Sequence, residues 1–429
     1  MRLKLVGLFL QMALFVLRKI DRLRGTNTGM SAEEFRMDPY ENFRRLRNIS
    51  PIVRSYANQG WMVMGCREAQ DILRDARFSS DIHHNWFFLN VLRVGMGGRP
   101  IPFVDHPTML GLDPPDHTRL RKLVSIGFVN SYIQSLAPRI EQLTDELLKD
   151  VGTEFDVIST IARPLPALVI AEMLGVPTGE RHLFQKWSDD LTGATILGRP
   201  DLMRKASDAE QAMREYLMAF IESRTGQSHE DFISLLLNAQ QDDDRLTHEE
   251  LIGTCVLLLS AGHETTTRLI GNGLYALLQH PDQLQKLRDN MDLLDSAIEE
   301  MLRYEPPFQM TVRFVTEKTE LHDARFSKNQ LVLVCFAGAN RDPRQFDDPD
   351  KFDITRANNR HISFGYGFHM CLGMTLARFE ARIVFRELLG RYAEITCLET
   401  QPTWGINPFF RDLTHLNVIV LEHPGKHRI

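Results

Sequence analysis

One stretch of the chain concentrates reactive chemistry: Phe364-Gly365-Tyr366-Gly367-Phe368-His369-Met370-Cys371-Leu372-Gly373, running on to Leu376-Ala377-Arg378. Cys371 stands at the start of an expected helix, where amide N–H groups point at the sulfur and the positive end of the helix dipole favours thiolate. Glycines at 365, 367 and 373 let the backbone bend sharply or approach a flat object. A thiolate held by N–H groups, with room for a planar ligand, suits the proximal side of a haem iron. A buried inert cysteine after a turn has the same sequence signature. A dinucleotide-binding loop does not fit, because the G-x-G-x-x-G spacing and the following acid are missing.

Two further groups of residues carry chemistry of their own. Ala261 and Thr265 are four apart and share a helix face, with Gly262 between them giving clearance for a bound plate or gas. Glu264 places a proton source next to the Thr265 hydroxyl. A mid-helix threonine also commonly bonds back to its own helix. His117 and Arg121, in Asp113-Pro114-Pro115-Asp116-His117-Thr118-Arg119-Leu120-Arg121, are likewise four apart and present two donors suited to a carboxylate. Glu300 and Arg303 lie three apart on one helix face and can pair. Glu299 beside them is expected to face elsewhere.

Taken together, F-G-x-G-x-H-x-C-x-G-x-x-L-A-R resembles the haem-binding loop of the cytochrome P450 family, the haem–thiolate monooxygenases. Three more segments match in order: Ala261-Gly262-His263-Glu264-Thr265 is similar to the oxygen-activation motif, Glu300-Met301-Leu302-Arg303 to the E-x-x-R pair, and Ala339-Asn340-Arg341-Asp342-Pro343 with Phe346 and Pro349 to the stretch ahead of the loop. The similarity runs from about Met30 to the C-terminus and is nearest the soluble bacterial members. It implies haem b with Cys371 as axial iron ligand, His117, Arg121, Arg313 and His369 on the propionates, and Ala261, Gly262, Phe364 and Gly365 lining the cofactor. It implies Thr265 and Glu264 as the catalytic pair delivering protons to dioxygen, with Glu300 and Arg303 structural. The implied reaction inserts one oxygen atom of O2 into a lipophilic small molecule, by hydroxylation or epoxidation, in secondary metabolism. A peroxide-driven hydroxylase and a non-catalytic haem gas sensor are the alternatives, and the Glu264-Thr265 pair counts against both.

The elements that must position these groups are mostly helical. Thr247 and Glu250 form a capping-box signature, after which the helical pattern runs unbroken to His280-Pro281, about 33 residues and roughly 50 Å. Leu293–Tyr304 is a helix stopped by Pro306-Pro307, and Cys371–Tyr392 a helix after the glycine-rich loop. Arg139–Asp150, Pro164–Leu174, Ala206–Arg224 and Asp231–Ala239 also have helical period. Strands are expected at Ile52–Tyr56, Trp61–Met64 and Leu331–Phe336. The expected fold is mainly α with a minor β-sheet, a single P450-type domain over 30–429 with haem between the long central helix and the cysteine-loop helix.

Composition sets the limits. With 50 basic and 56 acidic residues among 429, the net charge is −6, a poor fit to nucleic-acid binding. The five cysteines are widely spaced without C-x-x-C, so neither a disulfide framework nor a zinc site is indicated. Residues 1–29 form a separate segment: Leu5–Leu17 is apolar but for Gln11, flanked by Arg2 and Lys4 before and Arg18, Lys19, Arg22 and Arg24 after. Its roughly 20 Å falls short of the about 30 Å bilayer core. A membrane-surface helix, a helix packed on the body and an over-long start before Met30 all fit, and the expected location is cytoplasmic with peripheral membrane contact. The haem domain consumes the chain, so electrons are expected from a separate ferredoxin and ferredoxin reductase. Arg378, Arg382 and Arg386 are candidate contacts for an acidic carrier, or simply a solvated helix face. Residues 82–110 and 175–202 are expected to roof the pocket through Trp86, Phe87, Phe88, Met96, Phe103, Met109, Leu191 and Ile196, or else to be core.

Overall fold

The computed structural model describes residues 19–21, 23, 26, 33–57, 59–106, 108–196, 199–224, 231–238, 240–241 and 244–423. The apolar run Leu5–Leu17 lies outside the described residues. The central helix spans His248–Gln279. Thr247 Oγ1 accepts from the Glu250 N–H while Glu250 returns a carboxylate to the Thr247 N–H, closing the capping box. Most of this helix is buried on every side, as expected for an element that crosses a whole domain. It packs on Pro164–Met173, Arg181–Leu191, Pro200–Arg224, Leu294–Tyr304 and the cysteine-loop helix Met374–Arg391, and these together form the main apolar core.

A smaller sheet lies to one side. Its order is Ile52–Ser55, Gly60–Val63, Leu331–Cys335, Met310–Val315, Phe78–Ser79. The first two strands form the expected hairpin, and Gly60–Val63 then pairs in parallel with Leu331–Val334. A Cβ at Gly60 would lie 1.8 Å from the Leu331 carbonyl oxygen, so only glycine admits this approach. A second sheet joins Tyr392–Cys397, Asn417–Glu422 and Glu154–Asp156.

Most expected elements form within a few residues of their predicted limits. The cysteine-loop helix is the informative exception. It begins at Met374 with Gly373 as cap, so Cys371 belongs to the loop and precedes the helix. All five cysteines are free. Among the described residues no helix is long and apolar enough to cross a membrane.

Candidate active site

The glycine-rich loop is folded back on itself. The Cys371 N–H donates to the Phe364 carbonyl at 2.7 Å and the Gly365 N–H to Ile362 at 2.9 Å. Gly365 and Gly367 hold φ of 76° and 72°, and a Cβ at Gly367 would lie 2.5 Å from the Leu73 carbonyl oxygen. The Cys371 sulfur is therefore aimed by backbone geometry. The expected lowering of its pKa by the helix end is not what the protein environment produces. Burial pushes the thiol up, and the Gly373 N–H, Arg121 and Arg378 oppose that shift without overcoming it. With the helix starting at Met374, the dipole end lies past the sulfur.

Four bases converge beside this loop from three elements: His117 and Arg121 from the helix Asp116–Val124, Arg313 from the strand Met310–Val315, and His369 from the turn Gly367–His369. The His117 and His369 rings stand 4.1 Å apart. His117 is 2% exposed, and its Nδ1 is buried without a hydrogen-bond partner. Burial pushes Arg313 down to about 10, and burial together with the charges of Arg313, His117 and Arg121 pushes His369 down to about 3. Arg313 donates to the Val312 carbonyl at 2.8 Å, a neutral partner. Two guanidinium groups and two imidazoles, with His117 and Arg313 buried, form a donor cluster that an anion would complete. A flat macrocycle with two carboxylates and an iron seeking a thiolate fits this donor set.

On the central helix, Ala261 is exposed and Gly262 and Thr265 half-buried, although the helix around them is buried. The Thr265 hydroxyl donates to the Ala261 carbonyl at 2.8 Å, the back-bonded arrangement. A Cβ at Gly262 would stand 2.9 Å from Ile170 Cδ1, so the glycine also lets a neighbouring helix pack close.

Nor are the side chains of Glu264 and Thr265 brought together. Glu264 is ion-paired with Arg268 one turn on, both buried, and Arg268 Nε lies 3.3 Å from Asp412 Oδ1. His263 Nδ1 stands 3.9 Å from Glu264 Oε1. Behind this group Asp189 is pushed up to about 6, by burial first and then by the charge of Glu264.

The Glu300–Arg303 pair is fully buried and bidentate, at 2.7 and 2.8 Å. Arg303 also donates to the carbonyls of Asn340, Pro349 and Lys351, and Glu300 accepts from the Asp353 N–H and from Arg356. Arg356 was not legible in the sequence, since nothing local marks a partner 56 residues from Glu300. Glu299 faces away from the Glu300–Arg303 pair, as expected, and there accepts from Arg378 at 2.6 and 2.8 Å and pairs with His361 at 3.1 Å, linking the two flanks of the cysteine loop. Arg378 also lies 4.4 Å over the Phe364 ring. Arg378 and Arg382 are thus spent on Glu299 and Asp295, and of the three candidate carrier contacts Arg386 alone is fully exposed. In the roof, Met96, Met109 and Leu191 are buried, but Trp86 and Phe87 point to solvent.

A cysteine-bearing loop, a basic cluster and a long helix with a polar pair fit a haem–thiolate enzyme, and comparison with known proteins gives the family. The cytochrome P450 family profile matches residues 196–409. The chain is 40% identical over 402 residues to cytochrome P450 monooxygenase PikC of Streptomyces venezuelae, covering 91% of this chain and 93% of that one. It is 36% identical over 398 residues to 6-deoxyerythronolide B hydroxylase of Saccharopolyspora erythraea, covering 91% and 98%. Among solved structures, P450BioI in complex with an acyl carrier protein bearing hexadec-9Z-enoic acid superposes with a TM-score of 0.83 at 36% identity, covering 92% of this chain and all of that one. The chain belongs to the cytochrome P450 family. It is a haem-dependent monooxygenase of the bacterial type.

Proposed function

We propose that the chain hydroxylates or epoxidises a lipophilic small molecule of secondary metabolism at a haem b held by the residues above. The observation that carries this reading is the cluster of His117, Arg121, Arg313 and His369 beside the Cys371 loop. Cys371 Sγ would hold the iron, while His117, Arg121, Arg313 and His369 would hold the two carboxylates. Phe364 and Gly365 of the loop and Ala261 and Gly262 of the central helix would line the group. When bound, the haem supplies the redox chemistry that splits dioxygen. The protein supplies orientation and protons. Thr265 gives its own proton to Ala261, leaving its oxygen as an acceptor on the open face of the helix. Glu264, paired with Arg268 on the other side, would pass protons toward Thr265 on leaving that partner. Glu300 and Arg303 hold the chain ahead of the loop.

Relatives named for a macrolide-precursor hydroxylase and for polyketide biosynthesis support a polyketide-like substrate. The electron donor we propose is a ferredoxin with its reductase, in the cytoplasm. Residues 30–429 act as one domain, and the basic-flanked segment within residues 1–29 rests on a membrane surface. The test is the absorption spectrum of the reduced protein with carbon monoxide, then turnover with ferredoxin, reductase and NAD(P)H against turnover with peroxide. A strongly red-shifted Soret band that Cys371→Ser abolishes, with turnover only on the ferredoxin route, is expected. A histidine-type band overturns the ligand assignment, and turnover confined to peroxide overturns the electron route.

A further inference from the structure

One end of the five-stranded sheet carries apolar side chains that the fold leaves uncovered. At the hairpin turn between Ile52–Ser55 and Gly60–Val63, buried Asp21 accepts from the backbone N–H groups of Tyr56 and Ala57, each at 2.9 Å. This clamp fixes where the N-terminal chain meets the body, and Leu23, two residues on, is 87% exposed. In the parallel pair, Gly60 is in register with Leu331, so the start of that strand lies at the same end. There the Asn329 carbonyl accepts from Asn85 Nδ2 at 2.8 Å. Asn85 in turn caps the helix Trp86–Met96, its Oδ1 accepting the Phe88 N–H.

The helix start is therefore tied to the same sheet end as Asp21. Its first two residues, Trp86 and Phe87, are 64% and 40% exposed, and their rings meet edge to face at 6.0 Å. The opposite side of the helix buries Leu89, Leu92 and Met96 against Met203, so turning the aromatic pair inward would expose that cluster. Lys19 and Lys328 are exposed on the segments that bring the chain to this end.

We propose that this end of the molecule is a lipid-contacting surface, at which Trp86, Phe87 and Leu23 enter the headgroup region of an anionic bilayer. The inference rests on the membrane-surface reading of the N-terminal segment and adds a second contact from the folded body. Leu5–Leu17, with basic residues on both flanks, enters the described structure at residue 19, two residues before the Asp21 clamp. Tryptophan and phenylalanine suit the interface because large rings bury apolar area at the acyl boundary, and lysines add attraction to anionic headgroups. A single short apolar element gives marginal, reversible binding, whereas two together give stable attachment. The aromatic pair sits on a helix tip beside a hairpin turn, a shape matched to a soft surface. Because the same helix carries Met96, one of the expected roof residues, attachment here brings a membrane-dissolved substrate to the pocket roof.

The test is co-flotation of the full-length haem-loaded protein with vesicles of phosphatidylcholine and phosphatidylglycerol. We expect the protein to float, and Trp86→Ala with Phe87→Ala to lower its partition by about tenfold. Vesicles should shift the tryptophan emission to the blue, and Trp86→Phe should remove most of that shift while flotation persists. The reduced carbon monoxide spectrum shows that each variant is folded. If the double variant floats like the parent and Leu10→Glu with Leu14→Glu does not, the aromatic contact is overturned and the N-terminal reading stands. If the parent fails to float, both are overturned.

Discussion

A thiol placed among protein atoms resists ionisation, and at Cys371 burial outweighs the Gly373 N–H, Arg121 and Arg378. The sequence announced the cysteine through its glycines, but not this balance, because the dipole estimate assumed a helix start that lies three residues later. Thr265 is similar. Its type and spacing were legible, whereas its bond to Ala261 and the turning of Glu264 toward Arg268 depend on what surrounds the helix. Thr265→Ala should leave haem binding intact and lower product formed per electron pair by about tenfold, the scale of a lost proton-transfer contact. Measuring product against NAD(P)H consumed checks this, and unchanged coupling would remove Thr265 from proton delivery. Glu380 gives a prediction on stability. It is buried in the cysteine-loop helix with one carboxylate oxygen unpartnered, and burial pushes its pKa up to about 8. The folded state then keeps a proton that the unfolded chain, with a pKa of about 4.3, has released, so stability falls as pH rises between those values. Glu380→Gln should flatten that fall, gaining most over the parent at about pH 8.5 and least at about pH 5. Urea midpoints at both values decide, and parallel pH slopes would refute it.

Elements show where local signals suffice. The central helix was legible from end to end because its start is written in Thr247 and Glu250 and its stop in His280-Pro281. Sheet pairing was not, since Gly60–Val63 finds its parallel partner some 270 residues later and no periodicity encodes that choice. The same holds for the segment ahead of the cysteine loop. Its residues make almost no regular secondary structure, so its conformation depends on long-range contacts. Arg303 alone donates to three of its carbonyls, while Glu300 gathers Arg303, Arg356, Asn359 and the Asp353 N–H. Removing Arg303 leaves Glu300 with Arg356 as its cationic partner and takes the donor from three carbonyls, a loss on the scale of about 3–5 kcal/mol for a broken buried pair. Arg303→Ala should therefore yield protein that loses haem or fails to incorporate it, seen as a reduced ratio of Soret to protein absorbance. Arg382→Ala, which breaks only a partly exposed pair with Asp295, should cost less than about 1 kcal/mol and retain haem. Equal losses in the two variants would mean that the buried network is not what holds the loop.

At the scale of the whole molecule, charge is distributed unlike the simple count along the sequence. Net charge is −6, yet several arginines around the cysteine loop are committed internally: Arg378 to Glu299, Arg382 to Asp295, Arg356 to Glu300. A carrier meeting the cysteine face therefore encounters fewer free cations than the sequence suggested, with exposed Arg386, Arg360 and Arg67 remaining. Exposed charges act through solvent and are screened over about 8–10 Å at physiological salt, so they govern the rate of encounter more than the tightness of the complex. Turnover with a separate ferredoxin should accordingly fall as ionic strength rises, and Arg386→Glu should lower it further, by about threefold at low salt and little at high salt. Peroxide-supported turnover, where no protein partner docks, is the internal control and should respond to neither change. A ferredoxin rate independent of salt, or an Arg386→Glu effect equal on both routes, would place the electron entry on another face. Since the lipid-contacting end proposed above is set by Asp21 and Asn85, away from Arg386 on the cysteine-loop helix, the carrier surface should stay accessible on vesicles. The salt dependence measured with vesicles present should then match that in solution.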